Sequence, residues 1–199
     1  PARPPLMTPR RPLAALLATL LLAACAQSAP TNWHALTARA PAPPAASGAA
    51  PRVGLEPVRL PAAVDRGELV VTAAGGAPAP SPDEAWIGPL DEMLTLVVAE
   101  NLAGHLGVDQ VFRLPTRRLV QLDRVVELDV VRLAVDTAGE VRLAAVWRLF
   151  DDRERLLRTG RIAEVEPFTP AATLTPAVDA LARATDRLTA VLAAAIRTS

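Results

Sequence analysis

The chain has no lysine and no tyrosine, a single cysteine, two histidines, and aromatic residues at only 3% of 199 positions. Each scarcity removes a class of function. One cysteine, Cys25, excludes an internal disulfide, and two isolated histidines, His34 and His105, give no metal-ligand spacing. All 21 basic residues are arginine and they balance 21 acidic residues, with no basic block, which excludes a nucleic-acid footprint. The missing lysine and the abundant alanine read as coding bias rather than function. Ser28, Ser47, Ser81 and Ser199 lie in a tether, in loops and at the C-terminus, and none stands in a G-x-S-x-G elbow. The Asp151-Asp152 pair suits a hairpin turn better than acid–base work, and Gly75-Gly76 lacks the remaining glycines of a phosphate loop. No converging set of reactive groups is left. The expectation is a non-enzymatic protein without cofactor or metal.

What the chain does have is one apolar run. Arg10 and Arg11 precede LAALLATLLLAAC, Leu13 to Cys25. Leu13 to Leu22 is ten residues, against the roughly twenty that a membrane span needs. A basic flank, a short apolar centre and small residues before a cleavage point form a secretory signal, with Met7 reading as its start. The cysteine directly after Leu22-Ala23-Ala24 resembles the bacterial lipobox. That resemblance implies cleavage before Cys25, a diacylglycerol thioether on its sulfur, and acylation of the new amino group. Each buried methylene contributes about 0.8 kcal/mol, and stable anchoring takes about two chains. A lipidated Cys25 would therefore hold the chain on a bilayer without a spanning helix. The domain division expected is 1–24 signal, 25–51 lipidated N-terminus with a first strand and Pro/Ala linker, and 52–199 folded domain. Arg3, Arg10 and Arg11 leave with the signal, so the remainder is net acidic.

Period-two and period-3.6 patterns divide the rest. Trp33 to Thr37 reads as a first strand, with Trp33 and Ala35 on one face and His34 and Leu36 on the other. ARAPAPPAASGAAP, Ala38 to Pro51, reads as an exposed linker. Arg52 to Leu60 alternates as a strand in which Pro57 indicates an edge position or a bulge. Glu68 to Thr72 is a strand and Ala73 to Pro82 a Gly/Pro loop. Pro89 opens a helix whose face is Leu90, Met93, Leu94, Val97, Val98 and Leu102, ended at Gly104 or Gly107. His105, near its end, suits the helix dipole. Asp123 to Asp136, Val141 to Phe150 and Arg155 to Val165 form an antiparallel meander, with a bulge where the alternation slips at Val130-Val131. Thr175 would cap a last helix carrying Val178, Leu181, Leu188, Val191, Leu192, Ala195 and Ile196. The fold class is α+β: a two-layer sandwich, with a mixed, largely antiparallel sheet and two long amphipathic helices packed on one face.

Three residues are candidates for partner contact. Trp86 lies between the Pro-rich loop and the first helix, either as a staple into the core or as an interface anchor. Phe168, in the last loop, has the same two readings. Pro57 marks a candidate edge for strand addition or self-association.

Three stretches resemble one family. They are VGLEPVRLP with DRGELV (Val53 to Pro61, Asp65 to Val70), WIGPL leading to VAENL (Trp86 to Leu90, Val98 to Leu102), and the pair Asp123-Arg124-Val125 with Leu143 to Trp147. In this order behind a lipobox they are similar to the ABC-type transport auxiliary lipoproteins, the PqiC-like group, from about Trp33 to Ile196. Two features depart from the pattern: the first strand lacks tyrosine, and the Pro/Ala stretch is long. The resemblance implies an outer-membrane lipoprotein facing the periplasm. Its partners would be an MCE-domain protein and inner-membrane transporter subunits that move lipid, with the lipoprotein docking or tethering. Ala26 after the cysteine resembles an outer-membrane sorting signal. Two alternatives stay open, a lipid-binding periplasmic carrier and a structural envelope lipoprotein without a transport role. Homo-oligomerisation is equally open.

Overall fold

Alternation sets the centre of the sheet. In the computed structural model, which describes residues 30–42, 51–73, 76–116 and 120–199, the elements are β1 (Asn32–His34), β2 (Val53–Leu55), β3 (Glu68–Thr72), β4 (Pro78–Trp86), α1 (Leu90–Leu106), β5 (Val111–Arg113), β6 (Arg124–Asp136), β7 (Glu140–Asp151), β8 (Leu156–Pro167) and α2 (Thr175–Arg197). The meander β6–β7–β8 is antiparallel throughout. On β7 every second residue from Val141 to Leu149 is buried, facing the helices, while Arg142, Ala144, Val146, Arg148 and Phe150 face away. The slip on β6 is a bulge: the register jumps between Val130 and Arg132, and the extra residue, Val131, is pushed out to solvent.

The far side of β6 carries two arms. Its first half pairs in parallel with β2, which pairs in parallel with β5. Its last residues pair with β3, followed by β4 and then β1. The result is one mixed, open sheet of eight strands, with α1 and α2 packed against each other and against one face. The α+β reading therefore holds.

Several local expectations are corrected. Ala73 to Pro82 is not all loop, because β4 begins at Pro78. Pro78, Pro80 and Pro82 fall at alternate positions, so their missing donors lie on one side of the strand, and a ladder on the other side loses nothing. The strand with Pro57 is not at an edge: β2 lies between β5 and β6. Beyond Leu55 the chain still follows β6, through Glu56 N–H to Val126 O (3.0 Å) and Arg59 N–H to Leu128 O (3.1 Å). Pro57 has no N–H to lose, and Val58 N–H turns aside to the Thr95 hydroxyl (2.9 Å).

Helix α1 ends as expected at Gly107, in the left-handed conformation (φ 70°) that glycine adopts without strain. Leu174, not Thr175, occupies the position before α2, and no side chain caps that end. Val191 faces solvent rather than the core, while Val178, Leu181, Leu188, Leu192, Ala195 and Ile196 are buried. Gly160 on β8 lies opposite Trp147, and a Cβ there would come 2.6 Å from the indole. The glycine makes room for the ring.

Candidate docking surfaces

The N-terminal segment is bound into the domain. On β1 the side chains alternate as the sequence predicts: Trp33 and Ala35 are exposed, His34 and Leu36 buried. His34 Nε2 pairs with the Glu84 carboxylate on β4, and Asn32 Nδ2 donates to the same carboxylate (3.0 Å). Beyond β1 the chain runs over the helices. The fully buried Asn101 side chain on α1 accepts the N–H groups of Arg39 (2.8 Å) and Ala40 (3.0 Å) through Oδ1. Arg39 reaches Asp179 on α2 (3.0 Å). Gly104 lies so close under this strap that a Cβ would meet Pro41 O at 2.3 Å. Residues 38–41 are therefore docked, which corrects their reading as linker; residues 43–50 lie outside the described residues. Asn101 was open to sequence reasoning as a polar residue within an apolar helix stripe.

The predicted contact residues separate. Trp86 is 5% exposed and belongs to the core with Leu90 and Leu181, which is the staple arrangement. Its ring has no surface to give a partner. Pro57 sits in the interior part of the sheet, so it supplies no free edge. Phe168 is half-buried against the core directly after β8, its N–H bonded to Gly139 O (2.8 Å). Cys25 lies outside the described residues.

Sequence patterning missed the longest free edge. Among the described residues, strand β8, twelve residues long, pairs only with β7. Leu156, Leu157 and Val165 are its large exposed apolar residues. Nothing local in a sequence says which strand of a meander stays unpaired.

The face of the sheet away from the helices is charged. Arg148 bridges Asp129 (2.7 Å) and Glu127 (3.3 Å), and Arg59 also reaches Asp129 (3.1 Å). The Asp129 carboxylate, more than any other group, raises the Arg148 pKa above its usual value. At one end of this face an open depression of about 450 Å³ is lined by Glu56, Leu114, Leu122, Val125, Glu127, Phe150, Asp151 and Glu154. Asp151 organises the adjoining turn. It accepts the N–H groups of Arg155 and Arg153 (both 2.9 Å), and these bonds with the Arg155 guanidinium hold its pKa near 2, the Arg155 N–H foremost. The Arg52 side chain and N–H likewise hold Asp123 below its usual value.

The two histidines are paired structurally: His105 Nε2 lies 2.8 Å from Asp186, across the two helices. No group of metal-ligating side chains occurs among the described residues. Between the helix layer and the sheet, the gap bounded by Val64, Leu69, Trp86, Leu90, Leu133 and Leu181 has about 20 Å³ of free space.

Comparison with known proteins places this architecture. No curated protein matches in sequence. Two solved structures share the fold. One, described only as an uncharacterized protein, is 15% identical with a TM-score of 0.68, covering 84% of this chain and 99% of its own. The other, protein XCC0632 from Xanthomonas campestris, assigned to DUF330, is 18% identical with a TM-score of 0.66, covering 82% and 93%. A family model, "ABC-type transport auxiliary lipoprotein component", matches residues 34–197, which takes in all of the sheet except the first two residues of β1, together with both helices. The chain belongs to the family of ABC-type transport auxiliary lipoproteins.

Proposed function

We propose that this transport-associated lipoprotein is anchored in the outer membrane through acylated Cys25, faces the periplasm, and docks an MCE-type lipid-transport assembly. The observation that carries the reading is the family match over residues 34–197 directly behind a lipobox. The chain's part is mechanical: it holds, and the motor lies elsewhere. The free edge of β8, with Leu156, Leu157 and Val165 and with Phe168 just beyond it, is the surface we assign to the partner, which adds a strand there. Trp86 and Pro57 have no part in that surface. The carrier alternative finds little support between sheet and helices, where about 20 Å³ holds a water but no acyl chain.

The test is co-purification, in detergent, of the full lipidated chain with the MCE-domain protein encoded beside it. Stable capture is expected. A folded, lipidated chain that captures no such protein would sink the docking role. Retention of fatty-acid label by Cys25→Ser would remove the anchor.

A further inference from the structure

The first strand carries a feature that the docking role does not use. Trp33 on β1 is 65% exposed, whereas Trp86 and Trp147 are 5% and 7% exposed. Ile87, 63% exposed, follows β4 at the same end, and its N–H is bonded to His34 O (2.9 Å), which keeps it beside β1. The register puts Trp33 opposite Ala85, two positions before Ile87, so the two large exposed apolar residues lie at the same end of the β1–β4 pair. Next to them in the sheet, Glu68 lies opposite Ala85 and pairs with Arg66 (3.9 Å), a neutralised rim.

We infer that Trp33 and Ile87 form a contact with the lipid bilayer itself, seating the domain on the membrane that holds its anchor. This rests on the acylation of Cys25 proposed above. Chain length supplies the argument. Eight peptide steps from Cys25 to Trp33 span at most roughly 29 Å. The patch therefore stays within reach of the headgroup layer. A tryptophan, with an apolar body and one N–H donor, suits that boundary. The inward face of β1, held by Glu84, keeps the strand fixed while the outward face meets lipid.

Bromine-quenched fluorescence reads this directly, because only one of the three indoles is exposed. The full lipidated chain is reconstituted into phosphatidylethanolamine/phosphatidylglycerol vesicles with plain or brominated acyl chains. Brominated vesicles should quench roughly a third of the total emission, the share of one indole in three. Trp33→Phe should abolish that loss and Ile87→Glu should reduce it, with flotation on vesicles unchanged in both. Flotation without quenching, including the case where two copies bury the patch against each other, overturns the bilayer contact and leaves the anchor standing. Failure of the intact chain to float overturns the anchor and this contact with it.

Discussion

Asn101 shows how one side chain can decide the course of a terminal segment. It is fully buried and accepts two backbone N–H groups from a strap that has no regular structure of its own. Asn101→Ala leaves both donors without an acceptor and should cost about 2–3 kcal/mol, read as a lower urea midpoint. Gly104→Ala drives a Cβ to 2.3 Å from Pro41 O and should cost about 1–3 kcal/mol, with faster proteolysis at Thr37–Pro41. Asp151 contributes to the acid limb. Its folded pKa, near 2, lies below the ordinary 3.8, so its contribution is complete above pH about 4 and is lost as pH falls toward 2. Asp151→Asn should flatten the thermal-stability profile across that window. Asn101 was visible in the sequence as a polar interruption of an apolar stripe, but its strap was not. Ala38 to Pro41 has the composition of a linker, and only the two N–H bonds to a distant helix reveal that it is docked.

At the scale of elements, periodicity was a reliable guide and neighbourhood was not. The meander, its bulge at Val131 and, Val191 apart, the inward faces of both helices follow from spacing alone, because burial repeats with the backbone. Strand β4 was hidden by three prolines whose alternate placement spares one side of the ladder. The position of β2 between β5 and β6 depends on pairing across more than fifty residues, which no local signal encodes. The same limit hid the open side of β8. If β8 takes a partner strand, Leu157→Glu and Val165→Glu should each weaken capture of the MCE-domain protein several-fold. Both residues are solvent-exposed, so the circular dichroism spectrum should be unchanged and the unfolding free energy should stay within about 0.5 kcal/mol of the parent. Equal capture by both variants moves the docking site off this edge.

For the molecule as a whole, the family match and the sheet agree on a domain that begins with β1, since β1 is paired into the same sheet as the meander. The pairing runs β1–β4–β3–β6–β7–β8, so β1 and β8 lie at opposite ends of that path. Five inter-strand steps separate them by about 24 Å. If the chain is anchored and docked as proposed, a tug from the lipid side would be borne at one border of the sheet, by the Glu84 cluster and the Asn101 strap, while a gripped strand would load the other border. On that proposal the domain acts as a strut, whose stiffness across the hydrogen-bonded width would set how far a docked partner stands from the mooring.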